Sequence, residues 1–525
     1  MIITKTLYKE FLDLPAYAWY HIHDQEKYDW IQADKYGALE DPNEDDISDM
    51  GDETEILFLQ RYKFVPVNDI SQTAYDQQVS ATHQAIANKD PVIYQGRLQI
   101  WDVYTIFDVL EYIPESDMYR HIEIKSKTSI RNKNDDGVYT SLKKDLKQDI
   151  SFSAYILEKN TILITEHCFA FLNKEYQLNG ELDVERLFVM ESVQDEVIES
   201  GKIETTLWQI TELFKMSFEQ LQANYPYEGS KYKKYFASKP PKGTIEIMSS
   251  LSGDKYRKSR DVGIFDLSQI SSEQLEIFTP IQQFFITRYQ KWIHCIESEL
   301  RDRLQTLEFP LYFYDYETYT SGVPKFQWSR PWQQIVCQYS IHKMDQDGGV
   351  QHFEWIIQNG AQNNQALVTS MMKDLWELNS GTFVSWNASF ENGRNQELIE
   401  KYPEFAPNLQ YMIEHTFDLM YVFRDGLYFD PDCQGSNSLK AVLPALTDIT
   451  YTGMPVSNGM EAMGVIEKIL VWQATEEQIR DCLIYCKQDT WAMVAIYQKL
   501  LQTLHKAGDF YSTVKNMSRM GWARG

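Results

Sequence analysis

Over its last third the chain alternates short apolar segments with amphipathic ones, and that rhythm confines it to a layered α/β architecture. LYFYDYET, IVCQYSIHKM, GVQHFEWII and GTFVSW are short and rich in β-branched and aromatic residues, so they read as strands. ALVTSMMKDLWEL, FENGRNQELIEKY and RDCLIYCKQDTWAMVAIYQKLLQTL repeat their apolar residues every three or four positions, which is helical spacing. An α/β sheet domain is expected here.

A chain of 525 residues is too long for one ordinary core, so two or three domains are expected. Within residues 91–126, VIYQGRLQIWDVYTIFDVLEYI and MYRHIEIKS read as strands joined through the turn PESD. Residues 141–158 and 205–225 look helical. Residues 38–54 are acidic and turn-rich and read as a loop. Residues 226–262 are basic and rich in Gly, Pro and Ser, which suits a linker or an inserted loop. Residues 271–307 read as one or two helices behind a Ser-Ser-Glu-Gln cap. The expected division is an α/β domain over 1–225, a basic linker with connecting helices over 226–307, and a second α/β domain over 308–525.

Composition narrows the function class. Apolar residues at 43% and charged residues at 24% are ordinary for a soluble protein. No apolar run approaches a membrane span, and MIITKTLYKEFLDLP is not a secretory signal, so a cytoplasmic protein is expected. The six cysteines form no CxxC knuckle; Cys482 and Cys486 share a helical i,i+4 spacing, and reduced core thiols are expected. A net charge of −26 argues against broad wrapping of nucleic acid. Basic residues are nevertheless concentrated at 125–147 and 231–260, and acids at 40–55.

Three elements of the last third carry carboxylates. Asp315 and Glu317 of DYE point to one face of a strand, and such a pair is tolerated mainly where a divalent cation neutralises it. In FVSWNASFENGRNQEL, a strand ends at Trp386, Asn387 can cap the following helix, and Glu391 lies one turn on. In YCKQD, Tyr485 and Asp489 share one helix face. Asp418 in TFDLMYVF is a reserve acid, read as structural.

In order and spacing these elements resemble the DEDD exonuclease superfamily of the RNase H-like fold, in its tyrosine-bearing subclass, over residues 308–505. The resemblance implies that Asp315, Glu317, Glu391 and Asp489 bind two Mg²⁺ or Mn²⁺ ions, with Tyr485 assisting the attacking water. Glu391 departs from the family's usual Asp, a longer arm that can shift a metal. With GSNSLKAVLPAL, the motifs also resemble an uncharacterised bacterial family that joins a RecB-like nuclease region to a DEDD-like domain. Many members carry a cysteine cluster between the two; this sequence lacks it, so no iron–sulfur cluster is expected.

In the first third, Glu123 and Lys125 share one strand face, and Asp108 on the partner strand can meet them. Two acids can bind a metal and a lysine beside it can position water. The pattern resembles the RecB-like branch of PD-(D/E)XK nucleases, which implies Asp108 and Glu123 as ligands of one metal and Lys125 as a catalytic residue. His83, Glu53 or Glu55 are further candidate ligands. Gln148 and Tyr155 are seven residues apart, so the Q-x-x-x-Y helix of that branch is not met. Lys127, Arg131, Lys133, Lys143 and Lys144 could grip nucleic acid.

The expected function is a metal-dependent 3′→5′ exonuclease on nucleic acid. Single-stranded DNA ends are favoured and RNA is the runner-up. The alternative is a nucleic-acid-binding or regulatory subunit of a defence or repair complex with degenerate sites. A nucleotide phosphohydrolase is a third reading. No membrane partner is expected.

Overall fold

The computed structural model describes residues 2–35, 45–134, 136–227, 231–248, 253–291, 297–361, 363–375, 380–433 and 435–519. The protein is mixed α/β and divides into two compact units, 1–239 with 321–333, and 240–320 with 334–525. Residues 226–239 thus belong with the first unit and 240–307 with the second. The 226–262 segment carries the short helices Tyr232–Phe236 and Gly253–Asp261. Among the described residues no helix is long and apolar enough to cross a membrane.

The first unit is built on a six-stranded sheet in the order β1-β2-β3-β4-β7-β8. Its strands are β1 (Val67–Asp69), β2 (Val92–Ile100), β3 (Val103–Ile113), β4 (Met118–Lys125), β7 (Ile164–Leu172) and β8 (Phe188–Ser192). A small hairpin, β5 (Arg131–Lys133) and β6 (Tyr139–Leu142), stands apart from it. The expected strands over 91–126 are therefore β2, β3 and β4, antiparallel in sequence, with β7 parallel to β4. The helix expected from 141 begins at Lys144, because Tyr139–Leu142 pair as a strand first. That helix, Lys144–Lys159, has Ile150, Phe152, Ile156 and Leu157 fully buried, which ties it to the sheet. Helix Lys5–Asp13 packs beside it, with Tyr8 and Phe152 rings 5.0 Å apart.

Two expectations change. The 38–54 loop is a helix from Asp45 to Leu59, while 36–44 lie outside the described residues. Its later turns turn Phe58 into the sheet core, and that burial outweighs the acidic, turn-prone composition. The Ser271–Gln274 cap forms, each residue's side chain bonding the other's backbone N–H, but it opens only the single turn Gln274–Ile277. The helix proper starts at Pro280 behind a second reciprocal pair, Thr279 and Gln282. Cys295 lies outside the described residues.

The second unit has a five-stranded sheet in the order β11-β10-β9-β12-β13. These are β9 (Leu311–Tyr319), β10 (Ile335–Met344), β11 (Val350–Ile356), β12 (Thr382–Ser385) and β13 (Thr416–Asp418). β9, β10 and β11 are antiparallel neighbours, and β12 runs parallel to both β9 and β13. β9 is thus the central strand. Its even residues Tyr312, Tyr314 and Tyr316 enter a core with Leu367, Met371, Leu398 and Met412. Period-two alternation sends Phe313, Asp315 and Glu317 to the other face. There the helix Glu476–Arg519 packs, with Tyr497 5.7 Å from the Phe313 ring.

Close approach explains one glycine. Gly96 on β2 pairs with Phe107 on β3, and a Cβ at Gly96 would lie 2.1 Å from the Phe107 ring. Phe107 is fully buried and has nowhere to retreat. Gly96→Ala is expected to destabilise the protein by about 1–3 kcal/mol, and Phe107→Leu in that background should recover part of it. An unchanged denaturation midpoint in Gly96→Ala would contradict this packing.

Candidate functional site

The site in the second unit starts from the outward face of β9. Asp315 and Glu317 project from it, and Cys486 of helix Glu476–Arg519 closes on them; a carboxylate oxygen of each and the Cys486 sulfur all lie within 4.8 Å of one another. Asp489, one turn beyond Tyr485, is buried beside them and repels both carboxylates. Glu391, in the first turn of helix Ala388–Lys401, is 2% exposed and shares a hydrogen bond with Asp315. The four acids named from sequence are therefore gathered in one place.

Their electrostatics follow from that gathering. Burial, then repulsion from Asp489, Glu317 and Glu391, pushes Asp315 well above the usual carboxylate range. Burial and Asp489 do the same to Glu317, with Lys440 partly offsetting them. Burial raises Glu391 to about 8. Asp489 is raised by burial to about 6, held there by hydrogen bonds from Tyr451 and Tyr485 and by the charge of Lys440. One oxygen of Glu391 is buried without a hydrogen-bond partner. Crowded oxygen ligands with an unsatisfied buried acceptor fit a divalent cation, whose charge would remove the repulsion.

Two contributors escaped the sequence reading. Tyr451 donates to Asp489, and its ring lies 6.1 Å from that of Tyr485. Lys440 sits 5.4 Å from both ring centres. Tyr451 falls in an undistinguished turn, DITYTG, and no spacing could have tied it to Asp489. Lys440 lies in the helix start that was singled out, two residues beyond the cap Ser438.

Asn387 does not cap its helix. It adopts the left-handed conformation and makes no side-chain cap. Asp418, at the end of the neighbouring strand β13, accepts from Asn387 N–H at 3.1 Å, Ala388 N–H at 3.0 Å and Met420 N–H at 3.0 Å. It therefore holds the helix start that aims Glu391, the structural role read for it.

The first unit gathers a second cluster. Asp108, Glu123 and Lys125 meet as expected, and Asp149 and Lys5 join them, lining a cleft of about 470 Å³. Asp108 accepts from Ile124 N–H at 2.7 Å. Burial and the charge of Glu123 raise it to about 8. Burial alone would raise Glu123 too, but Lys5 and Lys125 hold it well below its usual range. Asp149 was missed because it follows Gln148, the residue the Q-x-x-x-Y pattern looked for. Lys5 was missed because it is 118 residues from Glu123.

Other candidates are placed as follows. Glu55 takes hydrogen bonds from Tyr94 and Gln95 and feels Lys125, while Glu53 pairs with Lys325. His83 is exposed on helix Gln78–Ala87, and none of the cluster's hydrogen bonds or ion pairs includes it. Gln148 and Tyr155 are buried, and neither bonds to Glu123. Lys127 pairs with Asp145, Arg131 with Glu191 and Glu196, and Lys143 bonds the Ser129 carbonyl, so these basic groups are engaged within the fold. Cys168, Cys337, Cys433, Cys482 and Cys486 are buried free thiols.

Comparison with known proteins adds a family match over part of the chain. A family model described as a domain of unknown function (DUF2779) matches residues 312–438. The match begins on β9 and takes in Asp315, Glu317, Glu391 and Asp418, stopping short of Tyr485 and Asp489. The chain is 27% identical over 230 residues to the "Uncharacterized protein MG366 homolog" of Mycoplasma pneumoniae, covering 38% of this chain and 33% of that protein. It is 24% identical over 262 residues to "Uncharacterized protein UU173" of Ureaplasma parvum, covering 44% and 37%. The chain thus spans 33% and 37% of the length of these curated relatives. No solved structure matches.

Two outcomes test this geometry. Glu391 and Asp489 hold protons in the folded protein that the unfolded chain releases near pH 4, so folding binds protons in between. Without divalent ions, stability should therefore fall as pH rises from about 4 through about 8, and Mn²⁺ should restore it. Thermal midpoints in EDTA should drop across that range less steeply in Glu391→Gln than in the wild type; equal slopes would refute the buried-proton account. Asp418→Ala should cost about 1–2 kcal/mol through the lost helix cap. A denaturation midpoint within error of wild type would show that Asp418 does not hold that helix.

Proposed function

We propose that the second unit is a metal-dependent 3′→5′ exonuclease acting on nucleic acid, in the manner of the tyrosine-bearing DEDD enzymes it resembles. The observation that carries this reading is the convergence of Asp315, Glu317, Glu391 and Asp489, from one strand and two helices, into a buried site where they repel one another. A mixed five-stranded sheet with the acids on its central strand also suits an RNase H-like domain. DNA is the favoured polymer because of the PD-(D/E)XK-like pattern in the first unit, and single-stranded ends are the favoured form.

In this reading the four carboxylates would hold two Mg²⁺ or Mn²⁺ ions. Bound there, the ions supply an activated water and stabilisation of the leaving oxygen. The chain's own groups set up the site. Tyr451 donates its hydroxyl proton to Asp489 Oδ1 and fixes that carboxylate's orientation. Tyr485 bonds the same carboxylate from one helical turn away, and in this reading it would assist the attacking water. Lys440 supplies a positive charge next to the acids and above both tyrosine rings. Asp418 keeps the helix that carries Glu391 in register with β12.

The test is a gel assay of the purified chain with Mn²⁺ or Mg²⁺ on 5′-labelled single- and double-stranded DNA and RNA. A ladder shortening from the 3′ end is expected, reduced on the order of 100-fold or more in Asp315→Ala/Glu317→Ala. It should persist in Glu123→Ala/Lys125→Ala. Cutting lost only in the second variant would move the chemistry to the first unit. No cleavage of any substrate would favour a binding or regulatory subunit.

A further inference from the structure

The two acidic clusters differ in how their charge is balanced. In the second unit no ammonium or guanidinium group forms an ion pair with Asp315, Glu317, Glu391 or Asp489 among the described salt bridges, and an oxygen of Glu391 has no hydrogen-bond partner. In the first unit every lone pair of the central carboxylate is used. Glu123 is fully buried. Its Oε1 meets Lys5 Nζ at 2.9 Å, Ser153 Oγ at 2.9 Å and His121 Nε2 at 3.3 Å. Its Oε2 meets Lys5 Nζ at 3.1 Å and Lys125 Nζ at 3.2 Å. A carboxylate offers about four lone-pair positions, and these five contacts fill them. Asp149 is likewise taken, by Lys125 at 2.9 Å, Lys9 at 3.4 Å and Lys5 at 3.7 Å. Asp108 spends an oxygen on the Ile124 N–H.

Lys5 does not reach this place on a free tail. Ile3 N–H donates to Asp102 O at 2.7 Å and Tyr104 N–H to Ile3 O at 3.1 Å, which pins the segment to the start of β3. Thr4 caps helix Lys5–Asp13 by accepting from Leu7 N–H. Leu7, Tyr8 and Phe11 of that helix are buried, so withdrawing Lys5 would strip apolar surface from the sheet unit. A divalent ion on Glu123 would have to share one carboxylate with two ammonium groups already bonded to its oxygens.

We infer that the Lys5 ammonium is the resident cation of the Asp108–Glu123–Asp149 cluster and that the first unit holds no catalytic divalent metal. The resemblance to PD-(D/E)XK nucleases led to the expectation of one metal on Asp108 and Glu123; the residues present do not fit it. Divalent-metal uptake is then confined to the second unit. The cluster lining the cleft of the first unit is then a closed ionic network in which Lys5 neutralises Glu123.

The experiment is Mn²⁺ binding to the full chain, read by electron paramagnetic resonance of free Mn²⁺. The Asp315→Asn/Glu317→Gln variant should bind no Mn²⁺ above background, and Glu123→Gln should leave wild-type uptake unchanged. Adding Lys5→Met to Asp315→Asn/Glu317→Gln should create an uptake that Glu123→Gln abolishes. The inference is overturned if Asp315→Asn/Glu317→Gln binds Mn²⁺ in a manner lost with Glu123→Gln, an outcome that needs no change at Lys5 and so does not depend on that variant folding. It is also overturned if Lys5→Met, folded by circular dichroism, gains no uptake. Failure of the exonuclease reading looks different: wild type itself would bind no Mn²⁺, while the Lys5→Met arm still answers for the first unit.

Discussion

Mutual repulsion among buried carboxylates is the constraint around which the second unit is arranged. Asp315 and Glu317 sit on the central strand of the sheet, where burial and neighbouring acids make ionisation costly. Charge of one sign in a low-dielectric site is tolerated only if something neutralises it or if protons stay on. The surrounding elements serve that site. Tyr451 and Tyr485 bond Asp489, Asp418 holds the helix of Glu391, and Lys440 lends a partial counter-charge. The opposite face of the same strand is wholly apolar or aromatic, with Tyr312, Tyr314 and Tyr316 packed among Leu367, Met371 and Leu398. That core carries the stability that lets the outward face be strained.

The first unit solves the same problem in the opposite way. Glu123 is as buried as any of the described acids, yet it is held charged because Lys5 and Lys125 lie against it. Three lysines, Ser153 and His121 complete a network in which acids and bases compensate one another. Two sets of acids with similar strand-borne motifs therefore have different chemistry. A D-x-E or an E-x-K on a strand states which face the groups share, and their protonation and partners come from what packs above them.

Several elements were legible because their cause is local. The strands from 91 to 126, the strands β10 and β11, and the long last helix follow from residue type and from period two or 3.6 in the sequence. Others were not, because distant residues decide them. The acidic 45–54 stretch became helical through Phe58 and its burial in the sheet core. Asn387 lost its expected cap to Asp418, 31 residues away, since a carboxylate at the end of a neighbouring strand can reach two helix N–H groups at once. Residues 321–333 interrupt the second unit's sequence to join the first, with Trp332 Nε1 donating to the Ser126 carbonyl at 2.7 Å. No periodicity announces such an excursion.

The sequence by itself determined which face of β9 bears carboxylates, that Tyr485 and Asp489 share a helix face, and that Glu123 and Lys125 lie side by side, because these depend only on the repeat of a strand or a helix. The tertiary structure alone decided that Glu391 meets Asp315, that Tyr451 and Lys440 belong to that site, and that Lys5 crosses 118 residues of sequence to fill the carboxylate of Glu123. The physical reason is that burial and pairing, which set the charge of every one of these groups, are properties of what the fold packs against them and not of the residues that adjoin them in the chain.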